Sequence, residues 1–226
     1  MPYDAFDLAR VQADFGITIQ TTLDLFGYIP PAPVLTATAD ALLAQHGLAA
    51  TINTAKVRSE LLVAPLLLEA WRASAGRVTF YSGVALDVDA ATELTGVCDF
   101  IFGHLPQLDS VTRPVTMVIE ASETIMGGLG PCAAEMIAAQ RFNHSRQPEV
   151  PTVYGCVTNG QGWRFLRLTD ATLDIDMTQY LIANPDRILR RHPELRRAGP
   201  GAGCGVSVSA AQAPERFLRG VAAGAE

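Results

Sequence analysis

Residues 114–136, PVTMVIEASETIMGGLGPCAAEM, constrain the fold more than any other stretch of the chain. The run VTMVIEA (115–121) has the β-branched and apolar content of a strand. It breaks at Ser-Glu-Thr and passes through a glycine-rich turn into MGGLGPCAAEMIAAQRFN (126–143), which reads as a helix. Pro131 is expected in the first turn of that helix, where a missing N–H costs nothing. Glu120 stands almost at the end of the apolar run. A carboxylate flanked by strand-forming apolar residues is costly unless a cation or hydrogen bonds offset its desolvation.

The elements on either side follow from the period of the apolar residues. Residues 4–15 and 36–48 have helical spacing and are separated by the breaker YIPPAP. TAKVRSELLVAPLLLEAWRASAG (54–76) predicts a long helix with Val57, Leu61, Leu62, Leu66 and Leu68 on its buried stripe. Pro65 is expected to kink or restart that helix, and Gly76 to end it. The period then changes, and RVTFYSGVALDVD (77–89) and TGVCDFIFG (95–103) read as strands. Beyond the 126–143 helix, TVYGCVTNG and GWRFLRL form a hairpin about Asn159-Gly160-Gln161. TLDID and a helix over 177–191 complete the order. A mixed α/β (α+β) fold follows, with a central mixed sheet flanked by helices. Residues 1–50 form a helical N-terminal preface, 51–193 the core domain, and 194–226 a small-residue-rich tail expected to be poorly ordered.

A chain of 226 residues can bury one full core, and 49% apolar with 18% charged residues is ordinary globular composition. The longest apolar stretch, LLVAPLLLEAW (61–71), is too short to span a bilayer. The N-terminus has acidic residues and no apolar signal region, so no membrane partner and a cytoplasmic location are expected. Cys98, Cys132, Cys156 and Cys204 are too scattered for a zinc site or a disulfide framework, and buried reduced thiols are expected. His46, His104, His144 and His192 lack metal-ligand spacing. A net charge of −6 disfavours unaided binding to nucleic acid. The arginines at 187, 190, 191, 196 and 197 read as a solvated helix end.

Three carboxylates occupy unusual positions: Glu60 within the apolar helix face SELLVAPLLLE, Asp99 inside GVCDFIF, and Glu120. If the two strands are neighbours, Asp99 and Glu120 converge on one spot of the sheet. Two or three acidic oxygens there suit Mg²⁺ (or Mn²⁺), which can polarise a phosphodiester and activate water. Each strand carboxylate can equally cap a backbone turn or pair with an arginine. Asp87/Asp89 and Asp174/Asp176 read as solvated strand edges, and Gln140 as a packing or helix-end residue. Alternation along GWRFLRL is expected to turn Trp163 and Phe165 inward and Arg164 and Arg167 outward.

The arrangement helix-Glu, strand-Asp, strand-Glu, helix resembles the PD-(D/E)XK (restriction-endonuclease-like) nuclease superfamily. More narrowly, INTAKVRSELLVAPLLLE, YSGVALDVDAATELTGVCDFIF, PVTMVIEASETIMGGLGPCAAEMIAAQRFN and TVYGCVTNGQGWRFLRL resemble a bacterial family within it that is abundant in cyanobacteria. With FDLARVQADFG at the start, the resemblance runs over about residues 5–190. It implies a restriction-endonuclease-like core and DNA phosphodiester hydrolysis. Asp99 then matches the metal-binding aspartate, Glu120 the first carboxylate of the E-x-K motif, and Glu60 the helix acid that helps hold the metal. The chain departs from the pattern at the chemistry. Ser122 stands where the motif has its lysine, and Pro131 where relatives have glutamine.

Loss of the lysine implies a weakly active or inactive nuclease domain, kept for contact with DNA or a protein partner. Of seventeen basic residues only Lys56 is a lysine. It lies one helical turn before Glu60 and on the same face. It is either a migrated catalytic lysine, which would keep an active Mg²⁺-dependent endonuclease, or half of a surface pair with Glu60. Glu123 is a weaker substitute, because adjacent strand residues face opposite ways. A protein partner supplying targeting, and a homodimer suited to cutting two strands, are further expectations.

Overall fold

The computed structural model describes residues 3–27, 33–104, 110–112, 114–145 and 150–189. The tail, Cys204, His192 and the arginines at 190, 191, 196 and 197 lie outside the described residues. A 3-10 turn (Tyr3–Ala5), helix α1 (Leu8–Phe15) and strand β1 (Thr18–Thr22) open the chain, followed by α2 (Thr36–Ile52). The expected long helix runs as α3 (Ala55–Arg58), a π-helical turn (Ser59–Val63) and α4 (Ala64–Ala73). Pro65 stands in the first turn of α4, so the π turn takes up the backbone adjustment that proline imposes.

Strands β2 (Val78–Ala85), β3 (Val97–His104) and β4 (Val115–Ala121) follow, then α5 (Ile125–His144). The last elements are β5 (Thr152–Thr158), β6 (Gly162–Thr169), β7 (Thr172–Asp176), the short β8 (Tyr180–Leu181) and α6 (Pro185–Leu189). The strands make one eight-stranded sheet in the order β1-β7-β6-β5-β4-β3-β2, with β8 against β6. Pairs β1/β7 and β4/β5 are parallel and the others antiparallel, which makes the sheet mixed as the element order predicted.

Helices cover both faces. Tyr3, Phe6 and Val11 pack with α5 on one face, against Ile101, Val118, Val157 and Leu166. Leu42 of α2 and Leu62, Leu66 and Leu67 of the π turn and α4 cover the other, against Phe100, Ile119, Cys156 and Trp163. The central strands are therefore buried on two sides and read as nearly unbroken apolar runs. The amino end of α2 has no cap of its own at Leu35. Glu69 of α4, 4% exposed, supplies one, accepting from the Leu35 N–H and the Thr38 hydroxyl while Arg72 balances its charge.

Several local expectations need correction. Residues 18–22 are a strand, so the first fifty residues contribute to the main sheet as well as supplying helices. The 177–191 segment begins with β8, and its helix is confined to 185–189. Pro131 lies inside α5, beyond its first turn, because the helix starts at Ile125 behind a Thr124 cap. Asp174 and Asp176 are 8% and 0% exposed, β7 being flanked on both edges by β1 and β6; Asp174 pairs with Arg167, and Asp176 accepts from the Thr178 N–H and the Tyr180 hydroxyl. Along β6, Arg164 shares a face with Leu166 and Leu168, whereas Arg167 shares one with Trp163 and Phe165, since both faces of this strand are covered.

Helix α5 sits close to the sheet. A Cβ at Gly128 would lie 2.6 Å from Val157 Cγ1 and 2.8 Å from Ser122 Cβ, and one at Gly130 would collide with the Phe6 carbonyl. The second clash is with backbone, which cannot swing aside as a side chain can. Gly130→Ala is therefore expected to cost about 1–3 kcal/mol in urea unfolding, with the N-terminal residues 3–7 losing proteolytic protection first. An unchanged midpoint would show that the approach is looser than described.

Candidate functional site

Asp99 and Glu120 do meet. Strands β3 and β4 are neighbours, with Phe100 opposite Ile119, and past that pair the ladder opens. There the Ala121 N–H donates to Asp99 Oδ2 at 2.7 Å, so the side chain takes the place of a backbone acceptor at the fork. On its other side β3 loses a ladder pair as well. Gly83 faces Asp99 between the pairs Ser82–Phe100 and Val84–Cys98, and its φ of +63° is the left-handed conformation glycine adopts freely. One of the two alternatives for Asp99, support of a backbone turn, is thus realised with Oδ2, while Oδ1 has no hydrogen bond among the described residues.

Glu120 ends β4 on the face that α5 covers, with its Cγ beneath Gly128. It is half-buried and has no hydrogen-bond partner among the described residues. Burial first, and then the neighbouring carboxylates of Asp99 and Asp4, push its pKa from 4.5 up to about 8. Burial also raises Asp99; the Ala121 N–H and the charge of Lys56 pull in the opposite direction, and Asp4 adds to the rise.

Ser122 lies on the same face as Glu120, its Cβ also beneath Gly128, and its N–H donates to the Thr158 carbonyl at 2.9 Å. Ser122 thus shares the face of Glu120 and brings no charge to it. Glu60 is placed differently from the expectation that set it within a buried apolar face. Its side chain is 57% exposed in the π turn and pairs with Lys56 Nζ at 2.9 Å. The surface-pair reading of Lys56 is the observed geometry, although its charge still reaches Asp99. Glu123 is exposed.

One member of the cluster went unpredicted. Glu135, on the buried face of α5, is 1% exposed, and its Oε2 has no hydrogen-bond partner. Burial and the charges of Glu120 and Asp99 raise its pKa well above the ordinary value, while the Cys98 thiol hydrogen-bonds to it. The signal available in the sequence was a single acid in the apolar run CAAEMIAA, seven residues and so nearly two whole turns beyond Gly128. Glu135 thus lies on the same stripe, and helical side chains lean back toward the helix start, which directs its carboxyl toward Glu120. Tyr3 closes the cluster from the N-terminal segment, its hydroxyl donating to the Leu86 carbonyl at 2.5 Å.

The other singled-out residues are structural. Asp87 accepts from the Gly96 N–H, and Asp89 caps a 3-10 turn (Ala90–Thr92) and pairs with Arg141. Gln140 Nε2 donates to the Pro151 and Asp170 carbonyls, tying α5 to the start of β5 and the β6–β7 turn. Cys98, Cys132 and Cys156 are buried and free.

Among the described residues no group of three His, Cys, Asp or Glu side chains could hold a metal ion. Asp99 and Glu120 alone still suit Mg²⁺, which is commonly held by one or two carboxylates, with waters and substrate phosphates completing its octahedron. The raised pKa values fit such a use, since a bound dication would relieve the repulsion that causes part of the rise.

No family model, no curated protein and no solved structure matches this chain.

The electrostatics give a pH test. Glu120 carries a higher pKa folded than unfolded, so its protonated form favours the native state. That stability is fully present below about pH 4.5 and is lost as the pH rises through about 8. The urea midpoint is expected to fall between pH 5 and 9, and Glu120→Gln to flatten the fall and raise the midpoint at pH 9. A wild-type midpoint independent of pH would contradict this description. Asp99→Ala, which strands the Ala121 N–H, is expected to cost about 1–3 kcal/mol in the same assay at pH 5.

Proposed function

We propose that the chain is a PD-(D/E)XK-type nuclease domain that keeps a divalent-cation site on Asp99 and Glu120 and has lost the cation that assists hydrolysis. The observation that carries this reading is the partner-free, half-buried carboxylate of Glu120 beside Asp99 at the end of β4. Among the described residues neither a hydrogen bond nor a buried cation offsets its desolvation. The order α4, three antiparallel strands, α5 and a parallel β5 supports the same reading, since it agrees with the element order the resemblance implies.

When bound, Mg²⁺ or Mn²⁺ would supply charge neutralisation at a phosphate and a water of lowered pKa. Asp99 Oδ1 and the Glu120 carboxylate would hold it, with Asp99 fixed in orientation by the Ala121 N–H. Glu60 is directed to solvent, where it pairs with Lys56, and holds no part of the metal in this reading. Ser122 places a short, uncharged group where a lysine would orient water and offset charge at phosphorus. Hydrolysis of DNA phosphodiesters is accordingly weak or absent in this reading, and binding of nucleic acid outlasts it. A second reading, an active Mg²⁺-dependent endonuclease using Lys56, is favoured by one observation: the Lys56 charge acts on Asp99.

Calorimetric titration of Mn²⁺ and Mg²⁺ is the direct test, with Asp99→Ala/Glu120→Ala as the control. Binding is expected in the parent protein and not in the control, and its affinity should strengthen from pH 6 to 8.5 as protons leave the carboxylates. Ser122→Lys is expected to give or increase metal-dependent cleavage of plasmid DNA. Absence of metal binding would overturn the proposal, and cleavage by the parent that is lost in Lys56→Ala would replace it with the second reading.

A further inference from the structure

We draw no further inference here: the strongest candidate, the apolar groove between α2 and the β8–α6 segment lined by Leu42, Leu43, His46, Ile182 and Pro185, carries none because nothing in the structure shows what covers it.

Discussion

Helix α5 can lie against the ends of β4 and β5 only because Gly128 has no side chain, and the acidic cluster depends on that approach. With Gly128 over Val157 and Glu120, the end of β4 is roofed rather than open to water. Gly130 lets the Phe6–Asp7 backbone close the remaining side, which brings Tyr3 and Asp4 over the same spot. Burial of Glu120 and Glu135 is a product of helix-to-sheet distance. Their raised pKa values are its electrostatic record.

The charges around this roof are arranged asymmetrically. Glu135 of α5 and Asp99 and Glu120 beneath that helix have no buried cation beside them among the described residues, while Lys56 and Glu60 pair with each other at the surface. A fold selected for stability alone gains by replacing such groups with apolar ones of similar shape.

Much of the fold was legible because its strands and helices differ in period. VTMVIEA, GVCDFIF and the 126–143 run each declare their type through composition over a short window, and the mixed sheet follows from their order. TIQTT at 18–22 did not declare itself. It is short and polar, with exposed residues at 18, 20 and 21 and so no alternation, and it is a strand because β7 offers it a parallel edge. Asp174 and Asp176 are buried beside Arg167 and Tyr180 of neighbouring strands, a consequence invisible to any local reading. At the site, the convergence of Asp99 and Glu120 was legible from two acids in adjacent apolar strands. The direction of Glu60 was not, since the π turn at Ser59–Val63 rotates it out of the stripe that a regular helix would give. Glu135 was hidden for the opposite reason: one acid on an apolar helix gives no sign of what it faces until the helix is docked.

The parallel pairing of β1 with β7 also sets an order of assembly. Thr18 meets Thr172 and Thr22 meets Asp176, so the edge strand cannot form until nearly the whole sheet-building chain exists. Contacts this distant in sequence close late, because loop entropy must be overcome before they return anything. As a chain leaves the ribosome, its first twenty residues wait while β2 through β7 are made. Those same residues include Tyr3 and Phe6, which seal the carboxylates under α5. The acidic cluster is therefore closed only once α5, made more than a hundred residues after Tyr3 and Phe6, has docked on the sheet.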